Sequence, residues 1–281
     1  MTQKIALIPA YEPEESLFLP LIDELLKDNY FSVVVVNDGS EEKYNEVFKK
    51  LPSSITVLSY EKNMGKGYAL KHGFNYIKNN FDKDSLIVCL DADGQHKVKD
   101  ARKIIELAKE NPNSMILGRR KFDKSTPLRS RFGNWLARTT FLFSAKNKIY
   151  DTQTGLRAFS YSLLDDLINI SGDRYEYEMN VLLTLARHKV NIKEEFIDTI
   201  YINENATSHY NPLKDTFRIF KELLKFSCSS LIGFLVDYLL FSLLMLALCG
   251  DANKVVLVNI LARVVSASVN FLINYFLVFK K

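Results

Sequence analysis

The 281-residue chain is long enough for one substantial globular domain and a smaller appendage. Its average of 47% hydrophobic and 25% charged residues is that of an ordinary soluble protein, and a net charge of +4 is too mild for the concentrated basic face that nucleic acid demands. Cys89, Cys228 and Cys249 form no C-x-x-C pair and have no histidine at ligand spacing, so they read as small buried hydrophobes in a reducing compartment.

The start, MTQKIALIPAYEPEES, has an apolar run far too short for a cleavable signal, and acidic residues follow at once. The large N-terminal domain is therefore expected in the cytosol. Ile5–Ile8 predicts a short strand and Ser16–Leu26 a helix with apolar positions at Leu17, Leu21 and Leu25. Val33–Val36 is a pure β-branched run, which suits a strand buried on both faces of a parallel sheet. Ser40 is an expected N-cap for a helix over Glu41–Lys50. Ile55–Leu58 then reads as a strand, Gly65–Asn80 as a helix, Leu86–Leu90 as a strand, Lys99–Glu110 as a helix and Met115–Leu117 as a fifth strand. Strands separated by single helices predict right-handed β-α-β units and a doubly wound sheet, an α/β fold with its ligand beyond the carboxyl ends of the strands.

Each unusual polar cluster follows a strand directly. PAYEPEE follows the first, NDGS the second, NMGKG the third, DADGQH the fourth and GRR the fifth. Acidic and basic groups therefore gather on one rim. In DADGQH, Asp91 and Asp93 lie two residues apart after an extended segment, so both carboxylates can converge on one hard cation, with Gln95 adding a carbonyl oxygen. Such oxygen ligands suit Mg²⁺ or Mn²⁺ and leave coordination positions for substrate phosphates. Taken alone, a D-x-D string is equally a solvated turn or a helix cap. Gly65 and Lys66 in NMGKG open a helix whose first amides, with the lysine, can meet phosphates, or are simply a glycine turn. The spacing is not that of a P-loop, and no G-x-G-x-x-G follows the first strand, which disfavours ATPase, nicotinamide and flavin readings. Arg119, Arg120, Arg129, Arg131 and Arg138 form a basic stretch able to grip an anionic acceptor or to lie near anionic lipid headgroups.

From Phe226 to Phe279 only Asp237, Asp251, Lys254 and Arg263 are charged. Phe226–Cys249 and Val255–Phe279 each reach the length of about 20 apolar residues that crosses a bilayer, and the short loop GDANK between them predicts a helical hairpin. Lys221 and Lys225 before the first span, and Lys280 and Lys281 after the second, place both ends on the cytoplasmic side. Residues 211–225, with Arg218, Lys221 and Lys225 beside Phe217, Ile219, Phe220 and Leu224, read as an amphipathic helix lying along the headgroups. Asp237 and Arg263 sit inside the spans, where a charge costs at least ~2.5 kcal/mol, so they are expected to pair with each other or with a partner helix. Asn259, Asn270 and Asn274 add polar groups, and a homo-oligomer assembled through the hairpin is the expectation.

In their order, PAYEPEE, VVNDGS, NMGKG, DADGQH, GRR, DTQTGLRAF, RYEYEMN and SHYNP resemble the motifs of inverting family 2 glycosyltransferases of the dolichol-phosphate mannose or polyprenyl-phosphate glucose synthase type, over essentially all of residues 4 to 225. The resemblance implies a GT-A, Rossmann-like fold, with a mostly parallel sheet and helices on both faces, and a nucleotide-sugar donor. It places Pro9, Ala10, Tyr11, Glu12, Asp38 and Ala92 with Gly65 and Lys66 around the donor, and Asp91, Asp93 and Gln95 around the metal. Arg119 and Arg131 look like the pair that grips the lipid phosphate, with Arg129 competing for the second place. Asp151, Gln153 and Arg157 match the acceptor-side motif. Glu176 and Glu178 match the acidic segment after it, either in catalysis or in organising the arginines through ion pairs, and His209 and Tyr210 fall where the family closes a loop over the donor. The processive members carry Q-x-x-R-W, whereas Trp135 here sits in RFGNW, so a single transfer to a carrier is favoured. The tail resembles half of the four-span domain of GtrA-type proteins, on NFLINYFLVF at 270 to 279.

The expectation is a catalytic domain over 1–210, the amphipathic helix over 211–225 and a two-span hairpin over 226–281. The enzyme would transfer a sugar, with inversion, from a UDP- or GDP-sugar to undecaprenyl or dolichyl phosphate at the cytoplasmic membrane face, for cell-envelope glycan modification. A nucleotidyltransferase would share the sheet and the acidic pair but release pyrophosphate, and a silent membrane scaffold would have no need of an intact DADGQH.

Overall fold

The computed structural model describes residues 2–120, 149–198, 212–248 and 252–278. The chain divides into two compact units, Met1–Tyr210 and Asn211–Lys281.

In the first unit the five predicted strands form as β1 (Lys4–Ala10), β2 (Ser32–Asn37), β3 (Thr56–Ser59), β4 (Leu86–Cys89) and β5 (Ser114–Arg120). The intervening helices are α1 (Glu15–Leu26), the short α2 (Asn45–Lys49), α3 (Lys66–Asn80) and α4 (Val98–Glu110). After β5 the described residues of this unit add β6 (Arg157–Ser160), a 3-10 turn (Tyr161–Leu163), α5 (Leu164–Asn169), α6 (Glu176–Arg187) and β7 (Asn191–Ile197), none of them expected from the sequence. The seven strands run in the order β3-β2-β1-β4-β6-β5-β7. Strand β6 pairs antiparallel with β4 and β5, and every other pairing is parallel. Reversal of this one strand matters for the site, because it brings the start of β6 to the rim where β4 and β5 end: Arg157 is in register with both Cys89 and Leu117.

Alternation along the strands sets the two layers. Ala6, Ile8 and Ala10 of β1 share a core with Phe18, Leu21, Ile22 and Leu25 of α1 and Ala101, Ile104, Ile105 and Ala108 of α4. The i, i+3, i+4 spacing of the α4 residues makes that helix bury one stripe. Helix α3 covers the opposite face, burying Ala69, Leu70, Phe74 and Ile77, and packs with α5 and α6. The expected cap at Ser40 is a correction. Its Oγ accepts the Glu12 amide at 2.9 Å, tying the β1–α1 loop to the end of β2, and the following segment enters a short 3-10 turn before α2. A serine within reach of an unpaired amide on a neighbouring loop serves that amide and not its own helix.

In the second unit α7 (Pro212–Ala247) is one continuous 36-residue helix, so the predicted amphipathic lead-in and first span share a single element. It packs against α8 (Val255–Ile273), which continues as a π-helical turn over Asn274–Val278. Among the described residues one helix, Val255–Phe276, is long and apolar enough to cross a membrane, with a mean hydropathy of 1.9; in α7 the apolar stretch Leu231–Ala247 is shorter. The outward faces are apolar, with Leu246 77% exposed and Val256 70%. Polar groups are turned inward instead: Ser229 donates to Asn270 Oδ1 at 2.6 Å and Ser266 to Asp237 at 3.1 Å. Asp237 and Arg263 pair with each other, at 3.5 Å.

Candidate active site

Strands β1 to β5 point their carboxyl ends to one rim, and the loops there border an open cleft whose empty space, counted out into solvent, is about 1030 Å³. Pro9, Ala10, Tyr11 and Glu12 come from the loop after β1, Asp38 from that after β2, Gly65 and Lys66 from the start of α3, and Asp91, Ala92 and Asp93 from the loop after β4. Ten sequence-predicted donor and metal residues are thus brought into one cavity. Glu12 holds a left-handed φ of 47°, a conformation that costs a non-glycine residue of order 1 kcal/mol and clusters at functional sites.

Asp38 is buried and fully engaged. Its carboxylate accepts Tyr60 Oη at 2.8 Å, Asn63 Nδ2 at 3.2 Å, the Met64 amide at 2.9 Å and the Gly65 amide on both oxygens. It thereby shapes the entry to α3 as well as one end of the cleft. Burial, and then the hydrogen bond to Asp38 and its charge, push the Tyr60 phenol far above its ordinary value, so it stays a donor.

At the other end Asp91 and Asp93 share the cavity, and their environments push them apart. Burial works to raise the Asp91 carboxyl, but Lys66, at 2.6 Å, and His96, at 3.4 Å, overcome it and hold it well below the usual range. Asp93 moves the other way, raised first by burial and then by the charge of Asp91. The Gln95 amide donates to Asp93 Oδ1 at 3.0 Å, which fixes the turn. Gly155, at the foot of β6, is where the Asp91 carboxylate packs: a Cβ there would come 2.2 Å from Asp91 Oδ2, so any side chain would displace it.

Lys66 is held differently from a loose phosphate ligand. Its ammonium sits between Asp91 and Glu178, at 2.6 and 3.0 Å, and burial, which lowers a lysine, is outweighed by these two carboxylates. Buried Arg157 donates to the Glu178 carbonyl at 3.0 Å and to the Thr154 carbonyl at 2.9 Å. The chain Asp91–Lys66–Glu178 thus ties the DADGQH loop to α3 and α6. Glu176 accepts the amides of Asp173 and Arg174 and closes the turn before α6.

At the end of β5 two adjacent arginines part company. Arg120 donates through Nε and Nη2 to Asp151 at 2.7 and 2.9 Å, and its amide adds a third bond to the same fully buried carboxylate. Arg119 lies over the rings of Tyr150, at 3.9 Å, and Phe196, at 4.5 Å, which hold its plane. Gln153 follows Asp151, whose carboxylate its amide reaches at 3.3 Å. Arg129, Arg131 and His209 lie outside the described residues.

The cleft is also lined by Pro13, Glu14, Asn63, Arg174 and Tyr175, which lie within PAYEPEE, NMGKG and RYEYEMN but were given no role of their own. Five carboxylates line it (Glu12, Glu14, Asp38, Asp91 and Asp93) against the two cations Lys66 and Arg174. Among the described residues no third His, Cys, Asp or Glu joins Asp91 and Asp93 in a metal-binding group.

A mostly parallel sheet with polar loops gathered beyond its strand ends is the architecture of an α/β protein that takes its ligand at that rim. The model of the family described as Glycosyl transferase family 2 matches residues 5–168, and the chain belongs to that family. It is 30% identical, over 240 residues, to the UDP-N-acetylglucosamine--dolichyl-phosphate N-acetylglucosaminyltransferase of Methanococcus voltae, covering 78% of this chain and 93% of that protein. To the dolichyl-phosphate beta-glucosyltransferase of Saccharomyces cerevisiae it is 25% identical, covering 66% of this chain and 64% of that one. Among solved structures, glucosyl-3-phosphoglycerate synthase from Mycobacterium tuberculosis, in complex with Mn²⁺, uridine-diphosphate and phosphoglyceric acid, matches with a TM-score of 0.58 at 17% identity, covering 80% of this chain and 76% of that chain. That likeness establishes the shared fold.

Proposed function

We propose that this glycosyltransferase moves a sugar, with inversion, from a UDP- or GDP-sugar to a polyprenyl phosphate, either undecaprenyl or dolichyl phosphate. The observation that carries the reading is the single cleft in which Asp38 and the Asp91, Asp93 pair meet. The acceptor class is supported by the relatives from Methanococcus voltae and Saccharomyces cerevisiae, both named for dolichyl phosphate.

In this reading Pro9, Ala10, Tyr11, Glu12 and Asp38 receive the nucleoside, and Gly65, Lys66 and Ala92 border its phosphates. The cleft is short of positive charge for a diphosphate ligand, and Asp93, raised by burial and by Asp91, stands to gain from a cation. These oxygen donors fit a hard divalent ion, as does the Mn²⁺ in the complex of the structural neighbour. Asp91 and Asp93, with Gln95, would hold Mg²⁺ or Mn²⁺, which when bound supplies Lewis acidity to the leaving nucleotide phosphates.

The chain's own residues do the rest by positioning and charge. Lys66 and Glu178 keep Asp91 in place. Arg119, oriented by its two rings, grips the lipid phosphate together with Arg131 or Arg129, while Gln153, Glu176 and His209 border the acceptor. An acceptor phosphate oxygen then attacks the anomeric carbon as the bond to the nucleotide breaks on the opposite face. A phosphate with a second pKa of about 6 is already largely ionised at neutral pH, so no strong general base is required.

The second unit anchors the enzyme, with both of its ends on the cytoplasmic face, and assembles it into a homo-oligomer. Arg263, paired to Asp237 yet 73% exposed, supports a further protein surface beside it. The product would serve cell-envelope glycan modification. Purified full-length protein, incubated with a panel of nucleotide sugars and polyprenyl phosphate, should form a lipid-linked sugar of inverted configuration and release a nucleoside diphosphate. Release of pyrophosphate from a nucleoside triphosphate, or no transfer from any donor, would overturn the reading.

A further inference from the structure

The turn that leads into α6 carries Arg174 to the wall of the cleft, and the fold spends several contacts on holding it there. The Asp173 carbonyl accepts the Tyr68 amide at 2.9 Å, and Lys71 pairs with the Asp173 carboxylate at 2.6 Å. Glu176 Oε1 accepts the amides of both Asp173 and Arg174. Gly65 completes the seat. It has a φ of +103°, and a Cβ there would come 2.5 Å from Arg174 Cγ and 2.6 Å from the Asp173 carbonyl oxygen. The glycine that opens α3 therefore leaves room for this turn, and its neighbour on the wall is an arginine.

Position and charge then say what the guanidinium meets. Gly65 gives its amide to Asp38, and the next residue, Lys66, gives its ammonium to Asp91. Packed on Gly65, Arg174 lines the same cleft as both of those carboxylates. Lys66, the other cation of the lining, is committed to Asp91 and Glu178, whereas Arg174 donates to the neutral Asn63 Oδ1, at 3.4 Å, near the outer limit for a hydrogen bond. A long bond to a neutral oxygen is readily exchanged for a charge-assisted one.

We propose that Arg174 is a further donor-binding residue, a guanidinium ligand to the diphosphate of the nucleotide. This rests on the donor reading of the cleft, and gives it the phosphate-facing cation that Lys66, held by two carboxylates, does not supply. Arginine's planar fork matches two phosphate oxygens at once, which a lysine cannot reproduce.

The test uses full-length detergent-solubilised protein with Mn²⁺ in excess, and measures binding of UDP, GDP, uridine and guanosine to the wild type and to Arg174→Ala and Arg174→Lys. For the nucleotide that the wild type binds, Arg174→Ala should weaken the diphosphate by about 10- to 100-fold, as loss of a hydrogen bond to a charged group does, and leave the nucleoside within about twofold. Arg174→Lys should recover part of the loss. Steady-state rates should show the donor KM rising and the polyprenyl phosphate KM unmoved. An unchanged diphosphate affinity, an equal loss for nucleoside and diphosphate, or a rise confined to the acceptor KM would each overturn the assignment. Wild-type protein that binds neither UDP nor GDP would instead overturn the donor reading itself.

Discussion

The two units of this chain bury opposite things. In the first, Ile5, Leu7, Val34 and Val88 are fully shielded and the carboxylates stand on one rim, while in the second Ser229 and Ser266 are buried and Leu243, Val264 and Phe271 face outward. Helices that turn polar side chains toward each other and their leucines away fit hydrocarbon better than water, because an unmet hydroxyl is costly in hydrocarbon while an exposed leucine is not. The same side-chain types thus report the solvent by which way they point. On the proposed function the same division assigns the charged cleft to a water-soluble donor and the apolar pair to holding the enzyme where a lipid acceptor resides.

The largest effect is expected at the rim. Asp93 is raised above the ordinary carboxylate value, so the folded protein holds that proton more tightly than the unfolded chain, and stability falls as pH rises through the Asp93 range. Asp93→Asn removes the strained charge. It should therefore raise the melting temperature of protein kept in chelator at neutral pH, while cutting sugar transfer by about 10³-fold, roughly 4 kcal/mol in the barrier. Melting followed by circular dichroism and initial rates with labelled donor give the two readouts. A drop in both would make Asp93 a structural residue.

Next in size is Arg120→Ala. Asp151 is fully buried, and loss of its bidentate partner leaves an uncompensated charge, at a cost of about 3–5 kcal/mol in unfolding free energy. Arg119→Ala removes only the cation lying over Tyr150 and Phe196, so chemical denaturation should register about 1 kcal/mol, with activity lost for a different reason. Equal destabilisation by the two would erase the distinction between an arginine of the fold and an arginine of the site.

These adjacent residues also mark where sequence reading stops. Strands β1 to β5 were legible because each is a short apolar run bounded by turn residues, and the gathering of polar residues in one cleft was legible because each motif follows its strand directly. Strand β6 is four residues long with a buried arginine in it, and β7, NIKEEFI, is an edge strand whose consecutive charges Lys193, Glu194 and Glu195 interrupt its few apolar positions. Neither carries a hydrophobic signal. The partners of Lys66 and the seat of Arg174 were illegible for another reason: they depend on α6 docking against the start of α3, a contact between distant parts of the chain. Glu176 and Glu178 were singled out, yet that one closes a turn and the other holds a lysine follows only from the docked geometry.

In the second unit, Val264→Asp should be costly by an amount that reads out the solvent. Val264 is 60% exposed, and an exposed valine in water would accept the change for about 0.5 kcal/mol or less. At the middle of a bilayer the same aspartate costs about 2.5–3.5 kcal/mol. The fraction of protein resisting alkaline extraction from membranes should fall sharply. An unchanged fraction would mean that α8 packs in water or against protein at this face.

The smallest expected effect is Ser229→Ala, and its smallness is the informative part. Ser229 is 1% exposed and donates to Asn270 Oδ1 at 2.6 Å, but that oxygen also accepts Asn274 Nδ2 at 3.1 Å. The acceptor is not orphaned when the hydroxyl goes. In a water-soluble core a buried polar atom left unmet costs about 1–3 kcal/mol, whereas hydrogen bonds between helices in lipid average about 0.6 kcal/mol, because the separated helices find other partners. Unfolding by a denaturing detergent should therefore show a loss near the lower figure for Ser229→Ala and a larger one for Asn270→Ala, which removes the shared acceptor from both donors. A loss above about 2 kcal/mol for the serine alone would indicate that Asn274 does not satisfy Asn270, and that the inward polar seam is held by the Ser229 contact.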